Sequence, residues 1–138
     1  MIFSRRETLA LGLGAAALGV LPFRVNAATE DAIAEFAGGA DVGEGGVTLI
    51  APEIAENGNT VPIEVDAPGA TEVMVLAAGN PLPGVATFEF GPLAGSHHAS
   101  TRIRLAGTQD VIAVAKMADG SVVQTSALVK VTIGGCGG

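Results

Sequence analysis

The chain contains a single cysteine, Cys136, set between two pairs of glycines in Gly134-Gly135-Cys136-Gly137-Gly138. Glycine loses more backbone entropy on ordering than any other residue. This segment is therefore expected to form a flexible arm with an exposed thiol. From Val131 to Cys136, five residues extended at roughly 3.3–3.6 Å each reach about 17 Å. With no side chains beside it, such a thiol can enter a narrow cleft. Reactive cysteines are activated by a neighbouring His, Lys or Arg, or by a helix N-terminus. Here the nearest cation in sequence is Lys130, and the carboxylate of Gly138 lies two residues away. Nothing local depresses the thiol pKa, so most of it stays protonated at neutral pH. That chemistry suits an attachment point on which other enzymes act, and no catalytic residue is assigned.

Other candidate groups point to less. His97-His98 are adjacent, with no Cys or Asp nearby to complete a ligand set. A zinc site needs four ligands, or three plus water, so the pair is read as solvated loop and no metal or cofactor is expected. Glu53 and Glu56 would need a cleft to act as a glycosidase pair, which a small sandwich rarely supplies. Arg102 and Arg104 alternate outward on a strand and are read as solvated surface. Asn80-Pro81-Leu82-Pro83-Gly84 reads as a rigid structural turn.

Residues 1–27 read as an address rather than a fold. Arg5-Arg6 precede an apolar stretch from Leu9 to Leu21 and a small-residue cleavage signal at Val25-Asn26-Ala27. The apolar stretch is shorter than the roughly 20 residues needed to span a bilayer. Ser4-Arg5-Arg6-Glu7-Thr8-Leu9 resembles a twin-arginine export signal. Thr8 stands where that signal usually has Phe, which keeps the ordinary secretory route open. No cysteine follows the cleavage signal to carry a lipid anchor. The expected location is the periplasm, an oxidising compartment where a lone exposed thiol invites disulfide exchange unless it is used. The twin-arginine route carries folded proteins, so a partner without its own signal can travel with this one.

The full chain of 138 residues carries 7 basic and 14 acidic residues, a net charge of −7. From residue 28 onward, four basic residues (Arg102, Arg104, Lys116, Lys130) face thirteen acidic ones, a net charge of −9. This balance excludes nucleic acid, whose phosphates demand clustered cations, and favours basic partner surfaces.

The expected body is one domain, residues 28–133, with the arm at 134–138. Thr29-Glu30-Asp31 opens a short helix that Thr29 can cap and Gly38-Gly39 stop, with Ile33, Phe36 and Ala37 on one face. The pattern then changes to a period of two. Val47 and Leu49 open a strand. Val61, Ile63 and Val65 alternate with Pro62, Glu64 and Asp66. Val73 to Ala78, Phe88 and Phe90, Ile103 and Leu105, and Val111 to Met117 give further strands. Asp119-Gly120 marks a hairpin, and a last strand alternates from Val123 to Ile133. About seven short strands without a long helix imply an all-β, antiparallel β-sandwich of immunoglobulin type. Two strands are apolar on both faces, through Met74 and Leu76 and through Ile112 and Val114. Either loops or the helix cover the second face, or it forms a large hydrophobic subunit interface; export with a partner favours the interface.

The ending Val131-Thr132-Ile133-Gly134-Gly135-Cys136-Gly137-Gly138 resembles the swinging arm of the SoxY family of thiosulfate-oxidation carriers. Pro52-Glu53-Ile54-Ala55-Glu56-Asn57-Gly58-Asn59, Ala86-Thr87-Phe88 and Ser100-Thr101-Arg102-Ile103-Arg104-Leu105-Ala106 are similar to that family as well. The resemblance runs from about Ile33 onward. It implies an immunoglobulin-like sandwich paired with SoxZ, and Cys136 as the covalent attachment point of a substrate-carrier protein that is not itself an enzyme. It also implies visits to SoxAX, which joins thiosulfate to the thiol as a cysteine S-thiosulfonate, to SoxB, which releases sulfate, and to SoxCD, which oxidises the remaining sulfur. Two rivals stand beside it. Gly137-Gly138 resembles the ending of ubiquitin-like thiocarboxylate carriers, but those are cytosolic. A periplasmic adhesion or copper-handling sandwich is the other, but three Met and two His are few for copper.

Overall fold

The computed structural model describes residues 26–133; residues 1–25, which hold most of the segment read as an export signal, and Gly134, Gly135, Cys136, Gly137 and Gly138 lie outside the described residues. One helix, α1 (Ala27–Ala37), precedes nine strands: β1 (Val42–Glu44), β2 (Thr48–Ile50), β3 (Ile54–Ala55), β4 (Val61–Asp66), β5 (Ala70–Ala77), β6 (Gly84–Glu89), β7 (His98–Ile103), β8 (Gln109–Met117) and β9 (Val122–Val131). They form two sheets. The larger runs β1-β9-β8-β5-β6, with β3 also on β9; the smaller runs β2-β4-β7.

Period-two patterning sets the core between the sheets. In β4, Val61, Ile63 and Val65 are buried while Pro62, Glu64 and Asp66 are exposed. They meet Val73, Val75, Val111, Ala113, Ala115 and Val129 from the larger sheet. The Asp119-Gly120 hairpin forms as expected, with Gly120 at φ 89°, where a side chain would be strained.

Most pairings are antiparallel, but β9 also takes two parallel neighbours along one edge. β1 pairs with its start (Val42 with Val122) and β3 with its end (Ile54 with Lys130). Between those two straps the chain leaves to form β2 on the other sheet.

The helix corrects two expectations. Its N-cap is Asn26, whose side-chain oxygen accepts from the Ala28 amide at 3.1 Å. Thr29 instead lies inside the helix, fully buried, and its hydroxyl has no partner among the described residues. The carbonyl four residues back, which a helical threonine ordinarily uses, belongs to position 25. Gly38 ends the helix in the left-handed conformation at φ 61°, as its sequence implies.

The second correction concerns the two-faced strands. Leu76 and Val114 are fully buried, and they pack with Val122 and Ala37 under α1, where Ile33, Phe36, Met74 and Ile112 complete the cluster. The Lys116 ammonium sits 4.7 Å from the Phe36 ring centroid and 3.8 Å from a Glu72 carboxylate oxygen. The helix therefore covers the part of this face at Leu76 and Val114, the covering alternative that the sequence left open, while Met74 and Ile112 stay half-buried. The same outer face stays open farther along β9 and β3, where Leu128 and Ile54 are 55% and 58% exposed. No helix among the described residues is long and apolar enough to cross a membrane.

Candidate functional site: the end of the sandwich that precedes the cysteine

Cys136 and its flanking glycines fall outside the described residues, so the site is defined by what holds the chain just before them. β3 and the loop after it do most of this. Glu53 O accepts from Lys130 N at 2.9 Å, and Ala55 O accepts from Thr132 N at 3.0 Å. The Thr132 hydroxyl lies 3.2 Å from Glu56 O, to which it donates. Ile133 O accepts from Gly58 N at 2.8 Å, and Gly58 O in turn accepts from Leu105 N at 2.8 Å. On the other side of β9, Val131 N donates to the Thr108 hydroxyl at 3.0 Å. Successive residues 130–133 are thus each tied by at least one hydrogen bond.

The loop carrying Leu105 and Thr108 is held by a polar cluster. The Asn80 side chain donates to Arg104 O at 2.8 Å and accepts from Ala106 N and from Gln109 Nε2, each at 2.9 Å. Gln109 also donates to Gly107 O at 2.9 Å and accepts from Gly79 N at 2.8 Å. It is only 7% exposed, so each of these bonds satisfies a group largely removed from water. Gly79 is where this cluster demands glycine: a Cβ there would lie 3.0 Å from Gln109 Cβ. The turn that begins at Asn80, read from the sequence as structural, is thus the hub that holds this loop.

Three of the four stretches that carry the family resemblance, 52–59, 100–106 and the described part of the ending, 131–133, meet here. Sequence reasoning named all three but gave the first two no role. It missed Thr108, Gln109 and the strap β3. One signal was present: Gln109 shares the parity of Val111, Ala113 and Ala115, so it is a polar residue on an inward-facing phase.

The remaining candidates sort simply. His98 opens β7 and its Nε2 lies 3.3 Å from Glu64 Oε2, with both side chains well exposed. His97 is not free loop: its Nδ1 accepts from Gly69 N at 2.9 Å, its carbonyl accepts from Ala67 N at 2.9 Å, and its ring lies 5.3 Å from that of Phe90. The Glu53 and Glu56 side chains are exposed, and only their carbonyls take part. Arg102 and Arg104 are exposed and, among the described residues, make no ion pair. No group of three His, Cys, Asp or Glu residues that could hold a metal occurs among the described residues.

A two-layer sandwich with one covering helix ends in a hydrogen-bonded collar that stands, in sequence, just before a glycine-flanked cysteine. Comparison with known proteins gives this scaffold a family. The family model "Sulfur oxidation protein SoxY" matches residues 33–136, and the chain belongs to that family of sulfur carriers. Its structure is similar to that of the sulfur carrier protein SoxY from Chlorobium limicola f thiosulfatophilum, at 36% identity and TM-score 0.67, covering 76% of this chain and 96% of that one. A superoxide reductase (neelaredoxin) from Ignicoccus hospitalis superposes at TM-score 0.55 over 62% of this chain and 78% of that one, but at 13% identity this shows a shared fold alone. A search of curated protein sequences returned no match.

Proposed function

We propose that this protein carries sulfur intermediates of thiosulfate oxidation covalently on Cys136, in the periplasm, and presents them to enzymes that perform the chemistry. The observation carrying this reading is the position of the single thiol, three residues beyond an anchored Ile133, within the span of the family match. In the first step the thiol and thiosulfate form a sulfur–sulfur bond. The product is Cys–S–S–SO3⁻, and one proton and two electrons leave to an oxidant, in this reading the haem enzyme SoxAX. Water then attacks the terminal sulfonate sulfur in SoxB, giving a cysteine persulfide and hydrogensulfate. The persulfide sulfur is afterwards oxidised, by SoxCD where it is present, or passed on. In this reading the partner enzymes supply the base for these steps, because the cation nearest to Cys136 in sequence is Lys130, six residues away.

Export as a folded unit with SoxZ belongs to the same proposal. With Met74, Leu76, Ile112 and Val114 under α1, the subunit contact is assigned to the open part of the outer face, where Ile54 and Leu128 are exposed. The test is mass spectrometry of protein from the native periplasm, with and without thiosulfate, beside Cys136→Ser. Sulfur-bearing mass on the Cys136 peptide, absent from the serine variant, is the expected result. Thiosulfate-dependent growth that survives Cys136→Ser would sink the proposal.

A further inference from the structure

α1 covers the outer face of the larger sheet only in part, and the uncovered part is a trough. Where it borders α1 it opens as a hollow of about 480 Å³ over Val42, Ile112 and Gln124. Its wall on that side is Glu30, Ile33, Ala34 and Ala37, spaced three and four apart on one face of the helix. Ile112 and Gln124 also line the adjoining hollow, together with Glu44 and Ser126. Two residues farther along β9 the trough ends between Leu128 and Ile54, which are 55% and 58% exposed. The rim carries charge of nearly one sign. Glu30, Asp41, Glu44 and Glu53 line it against Lys130 alone, and among the described residues none of these carboxylates makes an ion pair. The exposed face of the smaller sheet is mixed by comparison: Glu64 and Asp66 on β4 stand beside Arg102 and His98 on β7.

Resting on the assignment of the partner contact to this open face, we infer that the trough receives a helix of the partner, laid against the flank of α1, apolar toward Ile112 and cationic along its edges. A helix fits because the wall is itself a helix face on which Ala34 and Ala37 are small, so two axes can approach to about 8–10 Å. Cations fit because the edges of the occupant meet Glu30, Asp41 and Glu44, where acidic edges are repelled. A second copy of this chain offers no such helix: α1 carries Glu30, Asp31 and Glu35 and neither Lys nor Arg.

The probe is a synthetic peptide of about 18 leucines and lysines patterned as an amphipathic helix, with a leucine–glutamate counterpart. Each is titrated into the isotope-labelled full mature chain under reducing conditions, and amide shifts in NMR spectra locate and quantify binding. The lysine peptide is expected to give saturable shifts at Ala34, Ile112, Gln124 and Ser126, and the glutamate peptide none there. Ala34→Arg, at an exposed helix position, is expected to weaken binding at least about 10-fold, and Glu30→Gln/Glu44→Gln about 5-fold. Both variants are expected to melt within about 3 °C of the parent. Shifts spread equally over Glu64 and Asp66 would mark unspecific charge attraction and overturn the inference. So would absence of binding, equal binding of the glutamate peptide, or a concentration-dependent dimer of the free chain that shields Ile112. Whether the native partner still co-purifies with Leu128→Asn tests the contact face separately. No sulfur chemistry enters either readout, so failure of the inference and failure of the reading it rests on are distinguishable.

Discussion

The two ends of the sandwich are closed by different means. At the end that precedes Cys136, side-chain amides from distant parts of the chain, Asn80 and Gln109, satisfy backbone groups of two loops at once. At the far end the turns largely close themselves. Ser121 donates from both its amide and its hydroxyl to Asp119 Oδ1, at 2.9 and 2.6 Å. Gly69 takes φ 83° in its turn. Long-range side-chain bonds there come from His97 to the Gly69 amide, from the Thr71 hydroxyl to Lys116 O at 3.2 Å and between His98 and Glu64, and the neighbouring Leu93 is 98% exposed. The difference teaches that buried side-chain amides tie separate loops together at the end that precedes Cys136 in sequence, whereas self-closing turns supply much of the closure at the other end.

This contrast can be broken by substitution. Gln109→Leu is expected to have the largest effect. It keeps the volume roughly, but strands Gly79 N–H and removes a donor from Asn80, at a cost of about 2–3 kcal/mol; urea titration measures it. Gly79→Ala is next, about 1–2 kcal/mol, because the new Cβ would press on Gln109 at 3.0 Å. It should also speed hydrogen exchange at Val131 if the collar transmits the displacement. His97→Leu at the far end is expected to cost about 1 kcal/mol and to leave exchange at Val131 unaltered. A cost equal to that of Gln109→Leu would erase the asymmetry.

Smallest of all is Asp119→Asn. The hydrogen bonds from Ser121, its side chain first, hold the Asp119 carboxyl below the usual carboxylate range. Its folded pKa is depressed, so its stabilising contribution is present above the unfolded value near pH 4 and fades as pH falls through the folded one. The asparagine variant should therefore show a slightly flatter fall in melting temperature below about pH 4, with little change at pH 7. A steeper acid dependence in the variant would contradict the assignment.

How much of this was legible beforehand follows the range of the interactions. Val61–Asp66 announced its inward and outward faces residue by residue, and Asp119-Gly120 announced its hairpin, because both depend on neighbours in sequence. The helix and its glycine stop were legible for the same reason, whereas its cap was misplaced by three residues, since Asn26 had been assigned to the signal segment. β1 and β3 were missed. At three and two residues they carry no periodicity, and they exist only because the edge of β9 lies beside them. The collar was missed because Asn80 and Gln109 are 29 residues apart, and only the parity of Gln109 betrayed it. The double-sided strands were legible as such, but sequence could not tell a covering helix from a covering subunit.

The two parallel straps on β9 have a further consequence. A strand on the border of a sheet invites a second chain to add on, the first move toward fibrous aggregates. β1 and β3 occupy both ends of that border, so the stretch left without a neighbour among the described residues, Thr125–Val129, is five residues long. Intruding strands find too short a template there for a long ladder.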